Sequence, residues 1–274
     1  MQIRRHRLLL DSGDAVRFEE SPNRGGALNP RFLVIHYTAG SSFNGSLSHM
    51  TDKAAKAAAH LLIGRDGGIA QLVPFNRVAW HAGLSSWQGL KGLNQHSIGI
   101  ELDNAGPLES QGETWRAWFG RSYPDEEVVI ARHKNGGPQR GWHAYSEAQM
   151  TTALEAAAAI CRHYGLADVL GHEDIAPERK TDPGPAFAMA SFRAAVLGRN
   201  EDTPQPFKTI ARLNIRESPG IGGAKLPEAP LALGTRLTLL SQQGKWGLVE
   251  VLDDAGTPTA TGWVHCDYIV AAAA

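Results

Sequence analysis

Three side chains in this sequence stand where the chain would present them for chemistry. His36 ends the apolar run RFLVIH and His172 ends VLGH, so each imidazole leaves the end of a buried strand and not a solvated face. Asp182 follows in GHEDIAPERKTDPGPAF, where Pro177, Pro183, Gly184 and Pro185 forbid a regular helix and set an irregular loop. Two imidazoles and one carboxylate make a zinc set of the catalytic kind, with a fourth position left for water. Water held there ionises near neutral pH and supplies hydroxide for attack on an amide. The chain has 11 histidines, so no single one marks a site by itself.

Two further residues extend that chemistry. Lys180 shares the proline-locked loop with Asp182, and a positive donor beside the metal suits a developing tetrahedral oxyanion. Glu101 lies in SIGIELDN, where strand alternation turns Ile98, Ile100 and Leu102 one way and Gly99, Glu101 and Asp103 the other. At the inner end of such a strand a carboxylate could carry a proton from the water to the leaving amine. A solvated position on an exposed face is the plain alternative for Glu101.

These groups need a rigid frame. Strand-like runs at Phe32–Ile35, Leu61–Ile63, Ile69–Val73 and Ile98–Leu102 alternate with helical patterns, which predicts an α/β domain in which helices cover a sheet. The clearest helix spans Ser146–Tyr164, opened by Ser146 and Gln149 as a capping box and stopped by Gly165. Its predicted packing face carries Met150, Leu154, Ala157, Ala158 and Cys161. Residues 105–142 are rich in Gly, Trp, Arg and Asp without a clear period and are read as a long insertion of loop character. Its aromatics Trp115, Trp118, Phe119 and Trp142 belong either at the border of the cleft or in a packed flap.

A polar, proline-bearing stretch, GRNEDTPQPF, divides the chain of 274 residues into a domain over 1–198, a linker over 199–208 and a smaller domain over 209–270. The last part shows short strands at Ile210–Arg216, Arg236–Ser241, Trp246–Leu252 and Thr261–Val264, the pattern of a small β-barrel. A net charge of -1, from 27 Lys+Arg and 28 Asp+Glu, gives no global attraction to nucleic acid or an anionic membrane. No apolar run approaches the ~20 residues of a membrane span, and none near the start resembles a signal-peptide core, so a cytoplasmic start is expected. The 2 cysteines, Cys161 and Cys266, fall in separate predicted domains, which excludes a disulfide framework.

The stretches VIHYTAG, AAHLLIGRDGGIAQLVPF, AWHAG, NQHSIGIELDN and GHEDIAPERKTDPGPAF, in that order and spacing, resemble the zinc-dependent N-acetylmuramoyl-L-alanine amidases of the AmpD type (amidase_2) over about residues 31–197. The resemblance implies a mixed β-sheet with surrounding helices and a cleft in which His36, His172 and Asp182 bind Zn2+. It implies that Glu101 activates water, that Lys180 stabilises the oxyanion, and that Trp80, His81 and Asn94 lie along the substrate groove. The implied substrate is peptidoglycan or a muropeptide, cut between the lactyl group of N-acetylmuramic acid and L-alanine. Phage-type amidases and peptidoglycan recognition proteins, more distant relatives, place Tyr where this chain has Ala59 and Cys where it has Asp182. ARLNIRESPGIGG, LALGTRLTLL, GKWGLVEV and TGWVHCDYIV resemble a bacterial SH3-like domain, a module that often binds wall peptides and would tether the enzyme there; a passive stabilising domain is the alternative.

Two other classes compete. A noncatalytic peptidoglycan-binding protein would have no need of all three ligands together with Glu101 and Lys180. A zinc peptidase acting on another bond of the stem peptide would use the same set, and only the products separate it from an amidase.

Overall fold

The computed structural model describes residues 1–112, 114–197, 206–253 and 256–271. The chain divides into two compact units, Met1–Arg199 and Asn200–Ala274. Residues 199–205 of the expected linker lie outside the described residues, and Pro206–Thr209 already forms a strand.

The first unit is built on a six-stranded sheet. Its strands are β1 (Arg17–Phe18), β2 (Phe32–Tyr37), β3 (Leu61–Ile63), β4 (Ile69–Gln71), β5 (Ser97–Leu102) and β6 (Asp168–Gly171), in the spatial order β6-β2-β5-β3-β4-β1. Pairing is parallel except between β3 and β4, so the sheet is mixed. A parallel centre requires both faces to be covered, and the sequence supplies that cover by alternation. Leu33, Ile35, Ile98, Ile100 and Leu102 turn to one face and pack against Ala153, Ala156, Ala157 and Ile160 of a long helix. Phe32 and Val34 turn to the other, against Leu170 and Ile175. Each fully buried aliphatic side chain here contributes about 1.5–3 kcal/mol.

Four helices accompany the sheet: α1 (Phe43–Thr51), α2 (Glu147–Tyr164), α3 (His172–Ile175) and α4 (Met189–Leu197). On α2, Ser146 Oγ accepts from the Gln149 backbone N–H at 3.2 Å, and Gly165 closes the end with φ of 59° in the left-handed region. The Gln149 side chain does not complete a capping box. It donates to the carbonyls of Ile63 (3.0 Å) and Asp103 (3.1 Å) and so ties the helix to the ends of β3 and β5. The packing face is also rotated from the expected one, centring on Ala153, Ala156, Ala157 and Ile160, while Met150, Leu154 and Ala158 are only half-buried. Small side chains let the helix axis approach the sheet, so the Ala-rich stripe is buried first.

The insertion corrects the loop reading. It forms a five-stranded antiparallel sheet of Ser122–Tyr123, Thr114–Arg116, Pro107–Gln111, Gln139–His143 and Val128–Arg132, in that spatial order. Strands of two to five residues are too short to display a period.

The second unit is a five-stranded antiparallel sheet in the order Pro258–His265, Trp246–Leu252, Arg236–Gln243, Pro206–Thr209, Ile269–Ala271. Residues 210–216 are not a strand as expected. They form isolated bridges, Leu213 with Leu231 and Arg216 with Lys225 and Trp263, in place of a continuous ladder. Leu213, Ile215, Leu237, Val249 and Val264 fill its core. Among the described residues, no helix is long and apolar enough to cross a membrane. Cys161 is buried, Cys266 is half-buried, and both are free.

Candidate active site

Register places the chemistry. β2 and β5 run parallel with His36 directly opposite Glu101, and β6 pairs Gly171 with Ile35, so His172 emerges beside His36 at the same sheet edge. Asp182 reaches this edge on a loop folded back over α3. Its backbone carbonyl accepts from Glu173 N–H at 2.8 Å, while Tyr145 Oη donates to the Pro183 carbonyl, also at 2.8 Å. Thr181 Oγ1 and Tyr37 Oη share a hydrogen bond of 2.7 Å.

The outcome is a tight triangle. His36 Nδ1, His172 Nδ1 and Asp182 Oδ2 lie 2.9 Å from one another, and all three residues are buried. Two imidazole nitrogens at that separation cannot both carry protons, so the cluster presents lone pairs to a common point. His172 Nε2 lies 3.1 Å from the Ala82 carbonyl, which can only accept, so Nε2 carries the proton and Nδ1 is bare. The donor set therefore fits a metal ion. Burial and neighbouring His172 hold the His36 imidazole down to about 4, which keeps it neutral and competent as a ligand.

Glu101 is half-buried, yet its Oε2 is shut off from solvent and has no hydrogen-bond partner among the described residues. Burial pushes its carboxyl up to about 8, Asp182 adds to the rise, and Lys180 opposes it. Glu101, Lys180, His172 and Asp182 all line one cleft of about 760 Å³. The half-exposed Trp80 lines it as well. His81 is buried at its base, with Nδ1 2.9 Å from His36 Nε2, so it faces a ligand as much as the groove. Asn94 lies behind the groove-lining residue His81. Its Oδ1 accepts from the backbone N–H groups of His81 (3.0 Å) and Ala82 (2.6 Å), which is a loop-holding position.

The family model described as N-acetylmuramoyl-L-alanine amidase, Amidase_2, matches residues 26–185, more than half of the chain. The chain belongs to this family. It is 32% identical over 223 residues to the N-acetylmuramoyl-L-alanine amidase AmiD of Escherichia coli (strain K12), covering 78% of this chain and 66% of that protein. It is 40% identical over 143 residues to the 1,6-anhydro-N-acetylmuramyl-L-alanine amidase AmpD of Citrobacter freundii, covering 52% of this chain and 58% of AmpD. The chain thus spans just under two thirds of AmiD and under three fifths of AmpD. The solved complex of AmiD from E. coli with anhydro-N-acetylmuramic acid-L-Ala-D-gamma-Glu-L-Lys is 31% identical, covers 72% of this chain and 68% of that one, and has a TM-score of 0.48.

Within this amidase-family site, two contributors, Arg179 and Glu173, escaped the sequence reading, and a third, Trp118, resolves one of its open alternatives. Arg179 Nη2 donates to the carbonyls of Ala82 and Leu84, both at 2.9 Å, and fastens the loop that holds His172. Glu173, buried beside His172, accepts from His133 of the insertion at 2.6 Å and from Lys134 at 2.9 Å. Trp118, also from the insertion, donates its indole N–H to the Ala39 carbonyl at 2.8 Å and lines the cleft with Phe119. Trp115 instead packs inside the insertion, over Gly141, and Trp142 is buried with its ring against Gly184 of the Asp182 loop. Arg179 and Glu173 both lie in the GHEDIAPERKTDPGPAF stretch, but nothing local to it gives their partners.

Proposed function

We propose that this chain is a zinc-dependent N-acetylmuramoyl-L-alanine amidase. It cuts the amide between the lactyl group of N-acetylmuramic acid, or its anhydro form, and L-alanine of a peptidoglycan stem peptide. The observation that carries the reading is the convergence of His36, His172 and Asp182 beside an unpartnered Glu101 at the base of one cleft. The 40% identity to a 1,6-anhydro-N-acetylmuramyl-L-alanine amidase supports the substrate class.

His36, His172 and Asp182 would hold the zinc, which when bound supplies Lewis acidity toward the scissile carbonyl and acidifies a water. Glu101 takes the proton of the attacking water. A carboxyl already raised toward neutrality accepts and returns protons at ordinary pH. The water oxygen bonds to the carbonyl carbon, and Lys180 stabilises the negative charge that develops on the carbonyl oxygen. Glu101 then passes its proton to the nitrogen of L-alanine as the C–N bond breaks, leaving a lactyl carboxylic acid and a free amino terminus. Trp80 and Trp118 both line the cleft and offer aromatic faces to the substrate. The antiparallel sheet of the second unit supports its reading as an SH3-like module that tethers the enzyme to wall peptides.

Digests of intact sacculi and of soluble anhydromuropeptides, analysed by mass spectrometry, test this. Expected is a new L-alanine amino terminus with the glycan strand intact. Scission within the peptide or between sugars would overturn it.

A further inference from the structure

His81 is placed in the molecule by two neighbours. Gly99, on β5, leaves room for its ring: a Cβ built there would lie 2.6 Å from His81 Cγ. Ser97, two residues earlier, faces His81 Nε2 with its backbone carbonyl at 3.3 Å and its hydroxyl oxygen at 3.4 Å. The Ser97 hydroxyl donates to the Leu93 carbonyl at 2.6 Å, so both of the Ser97 oxygens turn acceptor lone pairs toward His81. His81 Nε2 must therefore carry the proton, and Nδ1 must be bare. That bare nitrogen lies 2.9 Å from His36 Nε2, which then donates to it and leaves His36 Nδ1 bare in turn.

We infer that His81 is a positioning residue that locks His36 in the tautomer whose unprotonated Nδ1 faces His172 and Asp182. The inference rests on the metal-site reading above. The lock has a clear competitor. His36 Nδ1 is 2.9 Å from Asp182 Oδ2, so the other tautomer would donate an N–H to that carboxylate and occupy two ligands with one hydrogen bond. To reach it, His36 Nε2 would need a proton from His81 Nδ1, which would turn a bare His81 Nε2 toward the Ser97 carbonyl, lone pair against lone pair. The chain Ser97, His81, His36 thus opposes the metal-blocking arrangement. It does for His36 what the Ala82 carbonyl does for His172.

The test compares wild type, His81→Leu and His81→Asn as full-length proteins. Asparagine keeps an acceptor oxygen near the Nδ1 position, and leucine does not. Zinc affinity, measured by competition with a chromogenic chelator, should fall about 10- to 100-fold in His81→Leu and be largely restored in His81→Asn. An affinity in His81→Leu equal to wild type overturns the inference while leaving the amidase reading standing; failure of wild type to bind zinc removes both. Nitrogen-15 spectra of the histidine side chains in metal-free wild type give a readout that needs no variant. His36 protonated on Nε2 is expected, and His36 protonated on Nδ1 overturns the lock.

Discussion

Replacing Glu101 by glutamine should remove a pH dependence of stability carried by the metal-free protein. Burial holds the Glu101 carboxyl up at about 8, against 4.5 for the free side chain, with Asp182 reinforcing and Lys180 opposing. The folded chain therefore holds this proton more tightly than the unfolded chain. The stabilisation is complete below about pH 4.5 and is lost as pH rises through about 8. Over that interval, at about 1.36 kcal/mol per pH unit, the ceiling is about 5 kcal/mol. One edge of the side chain opens to the cleft, so roughly 2–4 kcal/mol is the working value. The imidazoles of His36 and His60, held down to about 4 by burial, act in the opposite sense, losing stabilisation as pH falls below about 6.5. Present in both proteins, they cancel in the difference. Urea unfolding of chelator-treated wild type and Glu101→Gln between pH 5 and 8.5 measures that difference. Glutamine should gain on wild type as pH rises, and a gap that does not change with pH would refute a buried, neutral carboxyl.

Lys180→Ala should lower kcat by a factor on the order of 10² to 10³ with KM little changed, if Lys180 serves the carbonyl oxygen; steady-state kinetics on a muropeptide decide this. Glu173→Ala leaves His133 and Lys134 without their buried carboxylate and should cost about 3 kcal/mol, read as a lowered unfolding midpoint. Chelation should abolish hydrolysis reversibly, with zinc restoring it; full activity after exhaustive chelation would contradict a metal-dependent step.

The residues around the triangle were legible because each sits at a strand end or in a proline-locked loop, where local pattern and position coincide. His36 closed an apolar run and Glu101 took its face from strand alternation, and the observed register sets them side by side. What escaped was set by contacts distant in sequence. The Gln149 side chain chose carbonyls on β3 and β5 over its own helix terminus, a choice no local motif encodes. The α2 face rotated because the sheet, and not helix periodicity alone, selects which alanines are buried. The insertion's strands, two to five residues each, were too short to signal themselves. The ion pairs of Glu173 with His133 and Lys134 join segments that sequence alone does not bring together. Asn94 had the right neighbourhood but points its amide at backbone N–H groups.

The central claim is a single metal-dependent amide hydrolysis at the His36, His172, Asp182 triangle. Its most direct measurement is a titration of zinc into the metal-free full chain, following release of the L-alanine amino terminus from a muropeptide. Activity should rise linearly and level off at one equivalent, and His172→Ala should show neither binding nor turnover. Product formed without metal, or a saturated protein that forms none, would contradict the account.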